Sequence, residues 1–356
     1  MKVITITNQK GGCGKTISAV NIAGAFAGLG KKVIFIDLDP QHHATSSFGI
    51  NIIDPLKSSY SIFDTFLKQS SSDLRMLMQY KYNNLWVIGS HISLSTIEQK
   101  MSGAKNAILV LLETLNYNAD ILADIDYIII DTPPGLGFLT LNAIHAAERL
   151  IVPLEASLFS MKGVAQINEI INISEKMGYK KPEINFLITL FDGRSNFSKN
   201  FLQKARDCFG EQLFATIIRS NIKLREAALE GKVIFDYAPY SNGAKDYGSL
   251  IEEIEPKINV SKFIFSDTNK PETLFKLHAP EADNVYIVGS FNNWMVDKNY
   301  LMQKTTNGIW LKNIPLPKGT YYYKFIVDGK WKEDPNNNFK ESDRFGGINS
   351  VLLVRN

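Results

Sequence analysis

Residues 8–16 read NQKGGCGKT, and this stretch decides the fold of the first part of the chain. The common phosphate-binding loop follows the pattern G-x-x-x-x-G-K-[ST] and joins a strand to a helix. Residues 14–16 supply the end of that pattern, but Gln9 stands where the first glycine belongs, and a second lysine, Lys10, precedes the glycine pair. The stretch therefore predicts a variant phosphate loop with a lysine on each side of its glycines. The alternative is a glycine-rich turn that binds no ligand.

The sequence around the loop favours a phosphate site. An apolar strand at 2–7 precedes it and a helical pattern at 15–29 follows it. Backbone N–H groups at the start of such a helix can surround phosphate oxygens. We expect Lys15 to contact the β- and γ-phosphates and Thr16 to bind Mg²⁺.

Three carboxylates follow apolar strands and point to the same site. Asp37 and Asp39 end the strand in FIDLDPQ, and Asp131 follows YIII. Parallel strands of an α/β sheet bind ligands at their carboxyl ends, so the three should lie near the loop. Asp131 is suited to holding Mg²⁺ through water. A single aspartate of this kind could equally be a helix cap.

The chain alternates apolar strands and helices in its first part, which predicts a doubly wound, mostly parallel α/β sheet. We predict strands at 2–7, 32–37, 84–89, 127–132, 149–154 and 184–191, with helices at 15–29, 95–116 and 163–177. After residue 257 the helical patterns stop, and short alternating strands predict a small β-sandwich. These strands are predicted at 273–279, 284–291, 308–314, 320–329 and 350–355. The expected domains are 1–257 and 272–356, joined by a linker at 258–271.

Bulk composition excludes several classes of protein. The 356 residues are 45% hydrophobic with a formal net charge of +3, so any nucleic-acid surface must be a local patch. Two distant cysteines, Cys13 and Cys208, exclude a disulfide scaffold. The start MKVITIT is too short for a signal peptide, so we expect none, and no run of about 18 apolar residues occurs. We therefore expect a soluble cytoplasmic protein without a membrane partner.

The motifs KGGCGKT, FIDLDPQHHATSSFG and YIIIDTPPGLGFLTLNAI resemble the ParA/Soj group of partition ATPases, which are related to MinD. The resemblance spans roughly residues 1–255. It implies an ATPase that forms a homodimer on binding ATP and Mg²⁺, hydrolyses slowly, and needs a ParB-like or other activator. In that family Lys10 reaches the nucleotide of the other subunit, Lys15 serves its own, and Asp39 positions the attacking water. The catalytic set would be Lys10, Lys15 and Asp39. The cofactor-binding set would be Lys10, Gly11, Gly12, Cys13, Gly14, Lys15, Thr16 and Asp37, and the metal set Thr16 and Asp131.

Nonspecific DNA is a further partner that the resemblance implies, through basic side chains on the phosphate backbone. Arg194 and Lys223 occupy two basic positions of the family, whereas Ser220, Tyr240 and Asn242 replace residues that are often basic. The alternative is that the basic side chains are ordinary solvated charges. The predicted DNA-binding residues are Arg194, Arg219, Lys223, Arg225 and Lys232.

The segments 284–297, 316–335 and 343–354 resemble the glycogen- and starch-binding modules of AMP-activated kinase β subunits and branching enzymes. This resemblance implies an Ig-like β-sandwich that binds α-glucan. Two tryptophans would stack on sugar rings while polar groups bind hydroxyls. The implied sugar-binding residues are Trp294, Lys324, Trp331, Phe345 and Asn349, and Gly347 replaces a threonine that also contacts sugar. The alternatives are that the tryptophans are core residues, or that the module contacts proteins.

Taken together, the sequence predicts an ATP-driven positioning switch, cytoplasmic and nucleoid-associated, with a C-terminal α-glucan-binding module. A second interpretation is chromosome or plasmid partition with a protein-docking module. A third is a nucleotide-binding scaffold that has lost hydrolysis.

Overall fold

The structure is a computed structural model, and it describes residues 1–157, 160–258, 272–292, 294–305, 307–316, 319–343 and 347–354. The chain divides into two units, Met1–Ile264 and Phe265–Asn356. Phe345 and nearly all of the predicted linker lie outside the described residues. No helix in the described ranges is long and apolar enough to cross a membrane.

The first unit contains one eight-stranded sheet in the order β3-β4-β2-β5-β1-β6-β7-β8. Its strands are β1 (Lys2–Ile6), β2 (Val33–Asp37), β3 (Gln79–Tyr82), β4 (Leu85–Ile88), β5 (Tyr127–Asp131), β6 (Arg149–Glu155), β7 (Glu183–Phe191) and β8 (Leu213–Arg219). Neighbouring strands run parallel except β3 and β4, which are antiparallel. Both faces are covered by helices, which explains the continuous apolar runs in the central strands.

Helices connect most of these strands. They are α1 (Lys15–Gly28), α2 (His43–Ser47), α3 (Tyr60–Leu67), α4 (Ile97–Lys100), α5 (Val110–Tyr117), α6 (Ala119–Leu122), α7 (Phe138–Ala146), α8 (Ser160–Lys176), α9 (Asn196–Phe209), α10 (Ile222–Leu229), α11 (Ile234–Tyr237) and α12 (Asn242–Ile254). Helix α1 is buried along most of its length, and its Phe26 ring stacks on Tyr127 of β5 with centroids 3.9 Å apart. This packing fixes the helix whose first residue closes the phosphate loop.

The predicted fold class is confirmed, but the single helix predicted at 95–116 is wrong. A short helix, α4, ends at Lys100, and α5 begins only at Val110. Between them Gly103 has φ 77° and Asn106 has φ 60°, both in the left-handed region that a continuing helix does not allow. The prediction also missed strand β8, whose residues do not alternate cleanly in burial.

The second unit consists of two antiparallel sheets. Its strands are β9 (Glu272–His278), β10 (Val285–Gly289), β11 (Gln303–Lys304), β12 (Ile309–Pro315), β13 (Gly319–Val327), β14 (Lys330–Lys332), β15 (Lys340–Ser342) and β16 (Ile348–Val354). One sheet has the order β10-β13-β16-β15, with β14 also paired to β13, and the other has the order β11-β12-β9. This all-β arrangement agrees with the predicted sandwich.

The core of the second unit lies between these sheets and is built around aromatic side chains. Tyr323 and Phe325 of β13 meet Phe275 of β9 and Trp310 of β12 there. Trp310 is 5% exposed, and its Nε1–H donates to the carbonyl of Ala279 at 2.9 Å. The sandwich therefore has a core tryptophan that is neither of the two predicted to bind sugar.

Candidate functional site

The loop after β1 adopts a conformation that requires its glycines. Gly12 has φ 75° and Gly14 has φ 83°, and Gly14 is the N-cap residue of α1. Side chains rarely adopt this left-handed region, so glycine is favoured at both positions. Apart from each glycine and its two chain neighbours, no atom lies within 4 Å of where a Cβ on Gly11 or Gly12 would be. The loop thus leaves open space beside its backbone N–H groups, as a phosphate requires.

Neighbouring strands hold the loop in place. The Asn8 side chain donates to the carbonyl of Pro153 in β6 at 2.6 Å, and the Thr189 hydroxyl of β7 donates to the carbonyl of Cys13 at 2.8 Å. Cys13 is 1% exposed, and burial raises the pKa of its thiol, which therefore stays protonated at neutral pH. Cys13 accordingly acts as a packing residue, and Thr189 is a supporting residue that the sequence did not reveal.

The two lysines of the loop are oriented differently. Lys15 is 6% exposed, and its ammonium donates to the backbone carbonyl of Lys10 at 2.9 Å, inside its own loop. The Lys10 side chain instead forms an ion pair with Glu155 at the end of β6 and donates to the Ser157 hydroxyl at 3.2 Å. About a third of the Lys10 side chain remains exposed. The Lys15 side chain thus points into its own loop, whereas the Lys10 side chain points out of the loop to the end of β6, which we call the rim of the site.

Strand register brings the predicted carboxylates together. Asp37 of β2 lies directly opposite Asp131 of β5, and Ile6 at the end of β1 lies opposite Asp131 on its other side. Asp37 is fully buried and accepts hydrogen bonds from the Asp39 N–H at 3.0 Å and from the Thr45 N–H and hydroxyl at 2.9 and 2.6 Å. Burial raises the pKa of Asp37 to about 6. These hydrogen bonds hold the turn that carries Asp39, and contact of Asp37 with a nucleotide stays a prediction.

Asp39 lies just past the end of β2 and is 6% exposed. One of its carboxyl oxygens accepts from the N–H of Gln41 at 2.9 Å. The side chain is thereby held in a fixed orientation at the same edge of the sheet as the loop.

Asp131 is the least satisfied polar group of the site. It is fully buried, and neither carboxyl oxygen has a hydrogen-bond partner among the described residues. Burial is the main cause that raises the pKa of Asp131 well above its usual value, and the charges of Asp37 and Asp39 add to it. The nearby Thr16 hydroxyl and the Lys15 charge lower this pKa in part. A buried carboxylate without a partner is costly and indicates a place for a cation.

The residues around Asp131 fit Mg²⁺. This ion prefers oxygen ligands and keeps several waters, so one carboxylate, one hydroxyl and phosphate oxygens suffice to hold it. Asp131 and Thr16 offer that donor set. In the described ranges no group of three or more His, Cys, Asp or Glu side chains could hold a metal alone. The site is therefore suited to a metal that arrives with a phosphate ligand.

A cavity of about 120 Å³ opens beside the loop. The ends of β7 and β8 and the start of α10 form it together with α1, and Leu190 at its edge has φ 52°. Its lining includes Gly14, Ile17, Thr189, Asn221, Arg225 and Tyr247. The mixed polar and apolar lining next to a phosphate loop suits the remainder of a nucleotide. No sequence motif marked this cavity, because its residues come from separate elements.

The five predicted DNA-binding residues lie in different environments. Arg219 donates to both carboxyl oxygens of Asp246 in α12, whose side chain is 8% exposed, so Arg219 is engaged within the fold. Arg194 is 92% exposed and pairs with Asp192 at 3.0 Å, and Lys223 pairs with Glu226 at 2.7 Å. Arg225 and Lys232 are exposed and form no ion pair with any described residue.

The predicted sugar-binding residues that the structure describes share one face of the larger sheet of the second unit. Ile326 of β13 pairs with Trp331, and Tyr323 of β13 pairs with Ser350. Because side chains alternate between the two faces of a strand, Trp331, Lys324 and Asn349 lie on the side away from the core. The rings of Trp294 and Trp331 lie 6.3 Å apart at an angle of 43°. Trp331 is 54% exposed, which excludes it from the core. We call this side the outer face.

Lys324 is held by an aspartate that the sequence did not single out. Its ammonium donates to Asp343 Oδ2 at 2.9 Å, and the Gly347 N–H donates to Asp343 Oδ1 at 2.7 Å. A Cβ on Gly347 would lie 2.6 Å from Asp343 Oδ2 and 2.9 Å from Lys324 Nζ. The ion pair therefore occupies the space that a side chain at position 347 would need.

Comparison with known families assigns both units. Residues 1–186 match the model of an AAA domain, and residues 272–356 match the model described as the glycogen recognition site of AMP-activated protein kinase. The sporulation initiation inhibitor protein Soj of Bacillus subtilis is 33% identical, over 71% of this chain and 98% of that protein. The chromosome-partitioning ATPase Soj of Thermus thermophilus is also 33% identical, over 72% of this chain and 96% of that protein.

Solved structures agree on the fold of the first unit. Apo McdA from Cyanothece superposes with a TM-score of 0.62 at 22% identity, covering 71% of this chain and 99% of McdA. A plasmid partition protein from Borrelia burgdorferi, solved with bound AMPPNP, has a TM-score of 0.60 at 25% identity and covers 72% and 99%. The chain thus belongs to the Soj/ParA family of P-loop ATPases, and it carries a C-terminal module of the glycogen-recognition type.

Proposed function

We propose that the first unit is an ATP-hydrolysing dimerisation switch. The observation that carries this proposal is the opposite orientation of the two lysines. Lys15 is already folded into its own loop, whereas Lys10 lies at the rim, where it could reach a phosphate presented by a second copy. Phosphate charge then becomes part of the dimer contact, and loss of the γ-phosphate weakens it.

Each residue of the site has a distinct task in this scheme. Lys15 and the loop N–H groups bind the phosphates of the bound ATP. Asp39, fixed by the turn that Asp37 supports, orients the attacking water. Asp131 and Thr16 would hold Mg²⁺, which would supply positive charge against the phosphates.

Lys10 must exchange partners for the dimer to form. Both side chains of its ion pair with Glu155 are about one-third exposed, so the pair contributes little net stability. When Lys10 leaves Glu155 for a phosphate, one charged contact replaces another. Because the pair with Glu155 is not deeply buried, breaking it does not prevent dimer formation. We infer that Glu155 binds the Lys10 ammonium in the monomer and releases it when the dimer forms.

Nonspecific DNA is the proposed matrix for the dimer. Arg194→Ala and Lys223→Ala should each weaken binding modestly and lower the steepness of its salt dependence by about one charge, because each side chain offers one exposed cation to a phosphate. Arg219→Ala should instead lower the free energy of unfolding by about 1–2 kcal/mol, since it removes the guanidinium from the nearly buried Asp246 and leaves this carboxylate only the hydrogen bond from the backbone N–H of residue 219. Gel shifts of the ATP-bound protein over a range of KCl concentrations, with thermal melting of each variant, would check this. A wild-type ATP dimer that does not shift DNA at low salt would exclude DNA as the matrix.

We propose that the second unit binds α-glucan. The observation that carries this proposal is the exposed Trp331 ring next to Trp294, on the same face as Lys324 and Asn349. An aromatic ring packs on the apolar face of a glucose unit, while ammonium and amide groups bind its hydroxyls. Together the two units would make a switch that attaches to, or is positioned by, a glucan body.

Sedimentation with glycogen tests this proposal on the full-length protein, with and without ATP. Wild type should pellet with glycogen, and Trp331→Ala should lower the bound fraction, with a loss of about 1–3 kcal/mol in binding. Its melting temperature should not change, because the ring is more than half exposed. Tyr80→Ala is a matched control, since it removes a 64% exposed aromatic ring from the first unit. If wild type retains no glycogen, amylose or β-cyclodextrin, the module is a protein-docking domain instead.

A further inference from the structure

An exposed aromatic ring lies on the second unit away from the predicted sugar-binding residues. Phe339 is 76% exposed, although its backbone is fixed on both sides. Its N–H donates to Asn337 Oδ1 at 2.9 Å, and its carbonyl accepts from the N–H of Val351 at 2.8 Å. The Phe339 ring therefore projects into solvent from a backbone that hydrogen bonds fix on both sides.

Strand register shows which face carries this ring. Val351 of β16 pairs with Tyr322 of β13 on one side. On its other side, the hydrogen bond from the Val351 N–H to the Phe339 carbonyl places Phe339 directly opposite Val351. Side chains directly opposite each other in antiparallel strands lie on the same side of a sheet. Phe339 and Tyr322 therefore lie on the outer face, the side that carries Lys324 and Trp331.

The outer face is continuous between the two aromatic positions. Glu341 pairs with Asn349, and the register next brings Asn349 beside Lys324. The Glu341 carboxylate lies near the Tyr322 phenol and raises its pKa. Polar groups able to bind hydroxyls thus fill the space between the tryptophans and Phe339.

The distance between Trp331 and Phe339 sets the length of ligand that could contact both rings. Ile326 of β13 pairs with Trp331, and Tyr322 of β13 lies across the sheet from Phe339. Ile326 and Tyr322 are four positions apart in the strand. At the rise of an antiparallel strand this is roughly 13 Å. A disaccharide seated on the tryptophans would not reach Phe339, but a chain of several glucose units would.

We propose that Phe339, Tyr322 and Glu341 form a second sugar subsite that binds later units of the same α-glucan chain. This proposal rests on the proposed function of the second unit. The Phe339 ring offers a stacking surface for a glucose face, and the Tyr322 and Glu341 oxygens offer contacts to its hydroxyls. The module would then select extended glucan chains over short oligosaccharides.

Two linear probes separate this subsite from the first. Binding of maltotriose and of a linear maltooligosaccharide of about ten units to the full-length protein would be measured by calorimetry. Phe339→Ala should weaken binding of the long probe by about three- to tenfold, the effect of one aromatic contact, and leave maltotriose unchanged. Phe339→Tyr should keep the affinity for the long probe, and Trp331→Ala should weaken both. Leu274→Ala, which removes a 45% exposed apolar side chain from β9 of the smaller sheet, is the matched control and should bind both probes like wild type.

The outcomes distinguish the two proposals. If wild type binds both probes and Phe339→Ala binds the long one as tightly as wild type, the second subsite is wrong while glucan binding stands. If wild type binds neither probe, both proposals are wrong, and the outer face is a surface for protein contacts. An unchanged melting temperature for Phe339→Ala assigns any lost affinity to the ring itself.

Discussion

Lys10→Ala is expected to abolish ATP-dependent dimer formation while leaving ATP binding nearly intact. The Lys10 side chain leaves its own loop and contacts Glu155 and Ser157, so its removal does not disturb the phosphate cradle. A charged hydrogen bond contributes about 1.5–3 kcal/mol. A symmetric dimer loses one such bond from each subunit, so the dimer should weaken by roughly 100-fold or more. Light scattering in saturating ATP and Mg²⁺ measures this directly.

Lys15→Ala provides the contrast within the same loop. Its ammonium is buried and lies inside the loop, so its loss should reduce nucleotide binding itself. Lys32→Ala, which removes a half-exposed lysine 3.6 Å from Asp124, is the control for charge alone. A Lys10→Ala protein that dimerises in ATP like wild type would show that the rim lysine has no role across the interface.

Asp39→Ala is expected to stop hydrolysis and to trap the ATP dimer. The carboxylate is oriented by the Gln41 N–H, and Asp37 supports the turn that carries it, so the substitution should leave the loop and the proposed metal ligands in place. Loss of a group that orients the reacting water lowers turnover by about 100- to 10,000-fold. ATP should still bind, so the dimer should persist. Phosphate release and dimer lifetime, measured on the same sample, test both parts.

Asp124→Ala controls for the loss of a carboxylate, because Asp124 is 86% exposed and lies before β5. Normal phosphate release by Asp39→Ala would remove this residue from the mechanism. Slow release with a short dimer lifetime would mean that hydrolysis does not time the dimer.

The sequence was sufficient to predict the conformation of the loop at residues 8–16 and the position of Asp37 and Asp131 at one edge of the sheet. Glycines with left-handed backbone, a strand before them and a helix after them are local features, and local spacing determines them. Asp37 and Asp131 could be placed together because parallel strands end at one edge of a sheet. The relation of Asp131 to Thr16 followed from the same topology.

Residues that support the site could not be predicted in this way. Glu155 and Thr189 reach the loop from strands that are far away in the chain. Asp343 meets Lys324 only because β13 and the segment before β16 become neighbours. Such contacts depend on strand order and register, and neither is encoded in a short motif. The break in the predicted helix at 95–116 had a local signal in Gly103, but apolar periodicity on both sides outweighed it.

The close fit around Gly347 also constrains how this module can change over generations. A threonine at this position, as in the modules that the segment resembles, would displace the Asp343 carboxylate and the Lys324 ammonium. The cost of a side chain at position 347 therefore depends on the residue at position 343, because a shorter residue there would leave free the space that the carboxylate occupies.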